Sequence, residues 1–203
     1  MARITTYEDL RHRYRQPTER VVRKELDHLD DHCRRFVAHS PFMVLATAGA
    51  DGRVDASPRG DAPGFVHVAD VHTLLIPDRP GNNRLDSLTN LVERPHAGAI
   101  LMIPGVDESL RVNGSIAIHD DDDLRQKFAV DGRLPTVVLV MRVDQVYLHC
   151  AKAFMRSGLW DPESWPTSRP VATLGEMIHD QIGEDAPAET QDAMLARYRA
   201  DLY

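Results

Sequence analysis

Cysteine is scarce in this sequence: Cys33 and Cys150 are the only two, too few to frame a fold with disulfides. No apolar run is long enough to span a bilayer, and the opening MARITTYEDLRHRY lacks the apolar core of an export signal. These absences predict a soluble cytoplasmic protein with free thiols and no membrane partner. Basic charge is not in excess either, with 24 Lys and Arg against 31 Asp and Glu and a formal net charge of -7. Nucleic-acid binding therefore has no global electrostatic support, and no such partner is expected. The chain has no GxGxxG, no internal repeat and no strand–helix–strand alternation, so nothing supports a Rossmann sheet. What is present is 203 residues, 42% of them hydrophobic, enough for one domain with a substantial core and helical additions.

Residues 1–16 read as a polar arm with one helical turn after Thr6. Pro17 and Thr18 then open one long predicted helix, with Val22, Leu26, Leu29, Cys33 and Phe36 on a single apolar stripe. His28 and His32 lie four apart on it, a metal-compatible spacing, but no third ligand follows in register and no metal is expected. Strands are predicted at 42–48, 53–57, 65–68, 73–76, 96–103, 108–119 and 136–150. In the second of them Asp55 and Ser57 share one face, and SPRGDAPG (57–64) is expected to break the pattern. The acidic run 120–123 lacks the Gly and distant Glu of a calcium loop and is read as capping a helix over 124–128. A tail of helices at 174–182 and 188–203 is expected to pack through Met177, Ile178, Met194, Leu195 and Tyr198. Strands joined mostly by hairpins, with peripheral helices, predict a mainly β (α+β) protein built on a closed antiparallel barrel. Its parts are an N-terminal arm and helix at 1–40, a barrel at 41–157 and a C-terminal loop and helical tail at 158–203.

Function is most legible in IPDRPGNNRLDSLTNLVERP, residues 76–95. It joins an apolar strand to a short helix predicted to begin at Arg84, with Asn82 or Asn83 as its cap. A cation in the first turn opposes the helix dipole, a conflict that an anion at the helix start would remove. Two readings fit: a phosphate site that also uses Asp78 and Arg79, or a plain strand–turn–helix joint with solvated arginines. Arg59 in SPRGD and Arg111 in SLRVNG, like Arg79 and Arg84, sit at strand ends that a barrel can bring together. The RGD tripeptide at 59–61 is not read as an adhesion ligand in a chain without an export signal. His149 and Cys150 are strand neighbours that point to opposite faces, so Cys150 is read as a packed thiol rather than a nucleophile. Lys152 and Arg156, four apart on a helical turn, can reach one ligand together, and Trp160 and Trp165 are read as loop anchors.

The ordered segments FMVLATAGADGRVDASPRGD, TLLIPDRPGNNRLDSLTNLVERP, ILMIPG, ESLRVNGSIAI and HCAKA resemble the FMN-binding split-barrel proteins, the pyridoxamine 5′-phosphate oxidase-like superfamily. The resemblance covers about residues 26–165. It implies a six-stranded split barrel that forms a homodimer, with FMN in a cleft between the subunits and a small-molecule substrate. By the same resemblance Ser57 and Arg59 lie at the flavin, Asn83 and Arg84 take the place of the phosphate-binding pair, and Ser109 with Arg111 stands ahead of the VxG strand. Arg59 and Lys152 are candidates for tuning the flavin, and Lys152 and Arg156 for the substrate end. The chain departs from true pyridoxamine-phosphate oxidases, because the C-terminal strand with its Trp and Arg-x-His segment has no counterpart. The expectation is an FMN-dependent oxidoreductase for another small molecule, the alternative a non-catalytic carrier of flavin, haem or deazaflavin.

Overall fold

Alternation builds the centre of the fold. In Phe42–Ala48 (β1) the side chains of Met43, Leu45 and Thr47 turn inward, and in His96–Met102 (β5) those of Ala97, Ala99 and Leu101 do the same. Ser109–His119 (β6) and Val138–His149 (β7) supply Leu110, Val112, Ile116, Leu139, Met141, Val143 and Val146. Thr73–Pro77 (β4) is buried on both faces, as expected of a strand with a neighbour on each side and a covered surface. The computed structural model describes residues 3–183 and 185–203; Met1 and Ala2 of the expected arm and Glu184 of the tail lie outside the described residues.

The strands form one antiparallel sheet in the order β2-β1-β5-β6-β7-β4-β3, where β2 is Val54–Gly60 and β3 is His67–Asp70. The sheet has seven strands, not the six that the resemblance implies. The short edge strand β3 pairs with β4 alone and carries a bulge between Val68 and Asp70. The ladder does not close, because its end strands β2 and β3 are not hydrogen-bonded to each other. That gap is the split in the barrel. Between β6 and β7 the register shifts at Gly114, where a Cβ would collide with the Arg142 carbonyl, so the close approach requires glycine.

Two local expectations fail for tertiary reasons. SPRG does not break β2: residues 57–60 stay paired with β1, and Pro58, opposite Val44, is tolerated because β2 has a neighbour on one side only. The single N-terminal helix is instead two short ones, Glu19–Arg23 (α2) and Asp31–His39 (α3), after an arm helix Tyr7–Arg11 (α1). Leu26 leaves the helical stripe to exchange backbone hydrogen bonds with Val146 at 2.9 and 2.8 Å. Asp30 then restarts the helix by accepting from the Cys33 N–H at 2.8 Å. Leu29, Cys33, Val37 and the partly buried Phe36 pack α3 on the barrel core.

Helix Asp86–Glu93 (α4) covers β1, β2 and β6 through Leu91 and Leu88. Asp122–Gln126 (α5) and Lys152–Ser157 (α6) flank β7, with α5 starting two residues earlier than expected. Of the tail helices Leu174–Ile182 (α7) and Gln191–Ala200 (α8), Met194 is buried, whereas Ile178 and Tyr198 remain exposed, so only part of the expected stripe packs. No described helix is long and apolar enough to cross a membrane, and no group of three metal-ligating side chains occurs among the described residues.

Candidate functional site

A cleft of about 730 Å³ opens at the split in the barrel. That volume lies within the ~300–1,000 Å³ usual for small-molecule sites. One wall is the inner face of β2, where period-two alternation directs Asp55, Ser57 and Arg59 away from the outward Val54, Ala56 and Pro58. The other wall is the segment from Pro77 to Leu88, which leaves β4 and enters α4, with Thr136 and Val137 at the floor.

The α4 entry is built differently from its sequence expectation. The helix begins at Asp86 rather than Arg84, and neither asparagine caps it. Asn82 Oδ1 instead accepts from the Arg84 N–H at 3.1 Å, closing a turn before the helix. Asn83 and Leu85 both take left-handed backbone, with φ of 58° and 61°. Asn tolerates this conformation, whereas for Leu it costs about 1–2 kcal/mol. Leu85 occupies the cap position and gives no side-chain hydrogen bond, so the leading amides of α4 lack a capping oxygen. Arg84 precedes the first turn and pairs with Asp86 at 2.8 Å, both side chains substantially exposed. The expected clash of Arg84 with the helix dipole is therefore already relieved by Asp86.

Arg59 and Asp78 form an ion pair across the cleft, each with less than a fifth of its side chain exposed. The Arg59 Nε remains buried without a hydrogen-bond partner. Arg79 donates from Nε to Asp61 at 2.6 Å and from Nη1 to the Phe128 carbonyl at 2.8 Å. Burial alone would push the Asp61 carboxyl up; hydrogen bonds from the Tyr203 hydroxyl, the Ala62 N–H and Arg79 outweigh it and hold the group below the ordinary carboxylate range. Ser87, almost fully buried, donates to Asp55 at 2.5 Å and ties the first turn of α4 to β2.

Of the expected site residues, the cleft brings together Ser57, Arg59, Asp78, Arg79, Asn82, Asn83 and Arg84. Ser109, Arg111, Lys152 and Arg156 are not among its lining residues. Ser109 and Arg111 lie on the outer face of β6, in register with His149 and Tyr147 of β7. There Lys24 and Arg111 stand over the Tyr147 ring at 5.4 and 5.3 Å, with no carboxylate partner among the described residues. Burial, then the charges of Lys24 and Arg111, lower the His149 pKa. Lys152 and Arg156 are exposed on α6. Cys150 is exposed rather than packed, whereas Cys33 is buried with its thiol pushed up to about 12, chiefly by desolvation. Trp160 anchors its loop to the body by donating to the Val106 carbonyl at 3.0 Å, whereas Trp165 is 54% exposed and donates only within the loop, to the Leu159 carbonyl at 3.0 Å. Sequence reasoning missed Leu85, Asp61 and Ser87 as parts of the site region; only Asp55 was foreshadowed, by its alternation with Ser57.

A family model described as pyridoxamine 5′-phosphate oxidase matches residues 29–150. No curated protein matches the chain. Among solved structures, a single-residue variant of the HupZ protein of Group A Streptococcus aligns with a TM-score of 0.50 at 11% identity, over 60% of this chain and 99% of that one. The General Stress Protein 26 of Bacillus anthracis (TM-score 0.43, 17% identity) aligns over 56% of this chain and 88% of its own. An FMN-binding protein of Syntrophomonas wolfei (TM-score 0.45, 13% identity) aligns over 58% and 83%. At such identities the likeness to HupZ is one of fold.

Proposed function

The chain belongs to the pyridoxamine 5′-phosphate oxidase family, and on that premise we propose that it binds FMN in the cleft at the barrel split and acts as an oxidoreductase on a small molecule. The observation that carries this reading is the uncapped start of α4 in a cleft that Arg59, Arg79 and Arg84 line. Asn83 and Leu85 are held in left-handed backbone and the leading amides have no capping oxygen. Beside that start stands the exposed guanidinium of Arg84, while Arg59, with its buried and unpartnered Nε, lies on the opposite wall. Amides at a helix start, a positive dipole end and an adjacent guanidinium together suit a phosphate. Arg84, with its exposed Asp86 pair, is the cation freest to turn to that phosphate, and Asn82 and Asn83 shape the turn beneath it.

Ser57 and Arg59 then lie beside the isoalloxazine, where a fixed cation favours the more negative reduced form. FMN, when bound, supplies the hydride or electron transfer, so no side-chain nucleophile is required. The protein's part is to hold, orient and exclude water. The fit of the residues to an anionic cofactor does not extend to the vitamin substrate: β7 is followed by helix α6, with no further strand among the described residues. We therefore assign the chain to a substrate other than pyridoxamine phosphate.

A homodimer completes the site in this reading. Phe42, Val44 and Ala46 of β1 and Gly98, Ile100 and Met102 of β5 are paired in register on one outer face, with Phe42 37% and Ile100 39% exposed. Ser109 and Arg111 continue the same face on β6, because Ile100 lies opposite Arg111. A second copy seated on this apolar face carries Arg111, and with it Lys152 and Arg156, toward the partner's cleft.

A second reading, a carrier without turnover, has one observation in its favour. The cleft carboxylates Asp55, Asp78 and Asp86 are each engaged by a hydroxyl or a guanidinium, which leaves none of the three free as a general acid or base. Titration with FMN and with riboflavin, followed by flavin fluorescence, tests the proposal. FMN should bind at least ~10-fold more tightly, the worth of one good charge-assisted contact. Equal affinities would remove the phosphate site. Reduction of bound FMN by NADH or NADPH faster than that of free FMN separates the enzyme from the carrier.

A further inference from the structure

The helical tail touches the cleft wall from behind, through Tyr203 against Asp61 and the cleft-lining Arg79. Asp61, just after β2, has a carboxylate only 4% exposed. Its Oδ2 accepts from Arg79 Nε at 2.6 Å, and its Oδ1 accepts from the Ala62 N–H and from the Tyr203 hydroxyl, each at 2.7 Å. Tyr203 lies 142 residues away in sequence. The Arg79 guanidinium also stands over the Tyr203 ring, 5.5 Å from its centroid, and Nη1 donates to the Phe128 carbonyl. Arg79 is therefore held by a carboxylate, a carbonyl and an aromatic face, and its Nη2 is the guanidinium nitrogen without a protein partner among the described residues. Arg79 lines the cleft.

We propose that Tyr203 is a positioning residue for the anion-binding cleft: its hydroxyl on Asp61 and its ring on Arg79 fix that guanidinium at the cleft wall, coupling the tail to ligand binding. The inference rests on the reading of the cleft as an FMN site. A lysine at position 79 could not make the same contacts, because the grip uses the planar fork of arginine. Coupling is reciprocal. If docking of the tail readies Arg79 for an anionic ligand, the ligand must favour docking of the tail by the same factor.

The test compares Tyr203→Phe, which keeps the ring, and Tyr203→Leu, which keeps neither ring nor hydroxyl, with the full wild-type chain. Affinities for FMN and riboflavin are measured together, and amide exchange across α8 is followed with and without FMN. Loss of the hydroxyl should weaken FMN by ~3–10-fold and loss of the ring by more, in line with a net hydrogen bond and a cation–π contact. Riboflavin affinity should not change, and FMN should slow exchange in α8 of the wild type but not of Tyr203→Leu. Variants that bind FMN like the wild type, or that lose FMN and riboflavin equally, overturn the inference. A wild-type chain that takes up no FMN overturns the reading beneath it instead, and the inference falls with it.

Discussion

Arg59 on β2 pairs with Asp78 just beyond β4, so an ion pair ties one end strand of the open sheet to the segment that leaves β4. Both side chains are mostly buried, and the Arg59 Nε already lacks a partner. Removing the carboxylate by Asp78→Ala leaves an uncompensated buried guanidinium, a loss of about 3 kcal/mol in folding stability. FMN, by binding the folded state alone, should restore part of it. Urea unfolding with and without FMN measures both effects; a loss below about 1 kcal/mol would mean that Arg59 finds another partner.

Arg84→Ala separates binding from folding. The Arg84–Asp86 pair is 72% and 48% exposed, so its removal should change stability by no more than about 0.5 kcal/mol. FMN affinity should nonetheless fall by about tenfold or more, with riboflavin unaffected. An unchanged FMN dissociation constant would take Arg84 out of the phosphate site.

Leu85 holds left-handed backbone with its side chain 54% exposed. Asn tolerates that conformation, so Leu85→Asn should leave the free protein unchanged or stabilise it by up to about 1 kcal/mol. Thermal unfolding decides the matter. A loss of stability would show that the Leu85 side chain makes a contact worth more than its backbone strain.

Ile100→Asp places a charge in the middle of the apolar outer face shared by β1 and β5. In sedimentation the wild type should run as a dimer and the variant as a monomer, and the variant should retain FMN less well. A wild-type monomer that holds FMN tightly would contradict the shared cleft.

The parts of this fold that were legible in the sequence are those written by local pattern. The apolar run FMVLATA gave β1 its observed bounds, and period-two alternation placed Asp55 with Ser57 on one face of β2. The strand–turn–helix joint at 76–95 stood out because turn residues, arginines and a helix start coincide there, and its residues 77–88 form one wall of the cleft. What was not legible depends on partners distant in the chain. Leu26 has the spacing of a helical stripe, yet the free edge of β7 at Val146 captures its backbone. Pro58 reads as a breaker until β2 is known to be an edge strand. The carboxylates that neutralise Arg59, Arg79 and Arg84 could not be assigned without the fold, least of all Asp61, whose partners include Tyr203. The separation of Ser109 and Arg111 from the cleft follows from the parity of β6, which turns them to the outer face.

The most direct test of the central claim is the absorbance spectrum of the purified protein, followed by denaturation and chromatography of whatever is released. A flavin spectrum is expected, from co-purified or added cofactor, with FMN as the released species. A Soret band or a deazaflavin spectrum would contradict the cofactor assignment, and a colourless protein that takes up no added FMN would contradict the cleft as a flavin site.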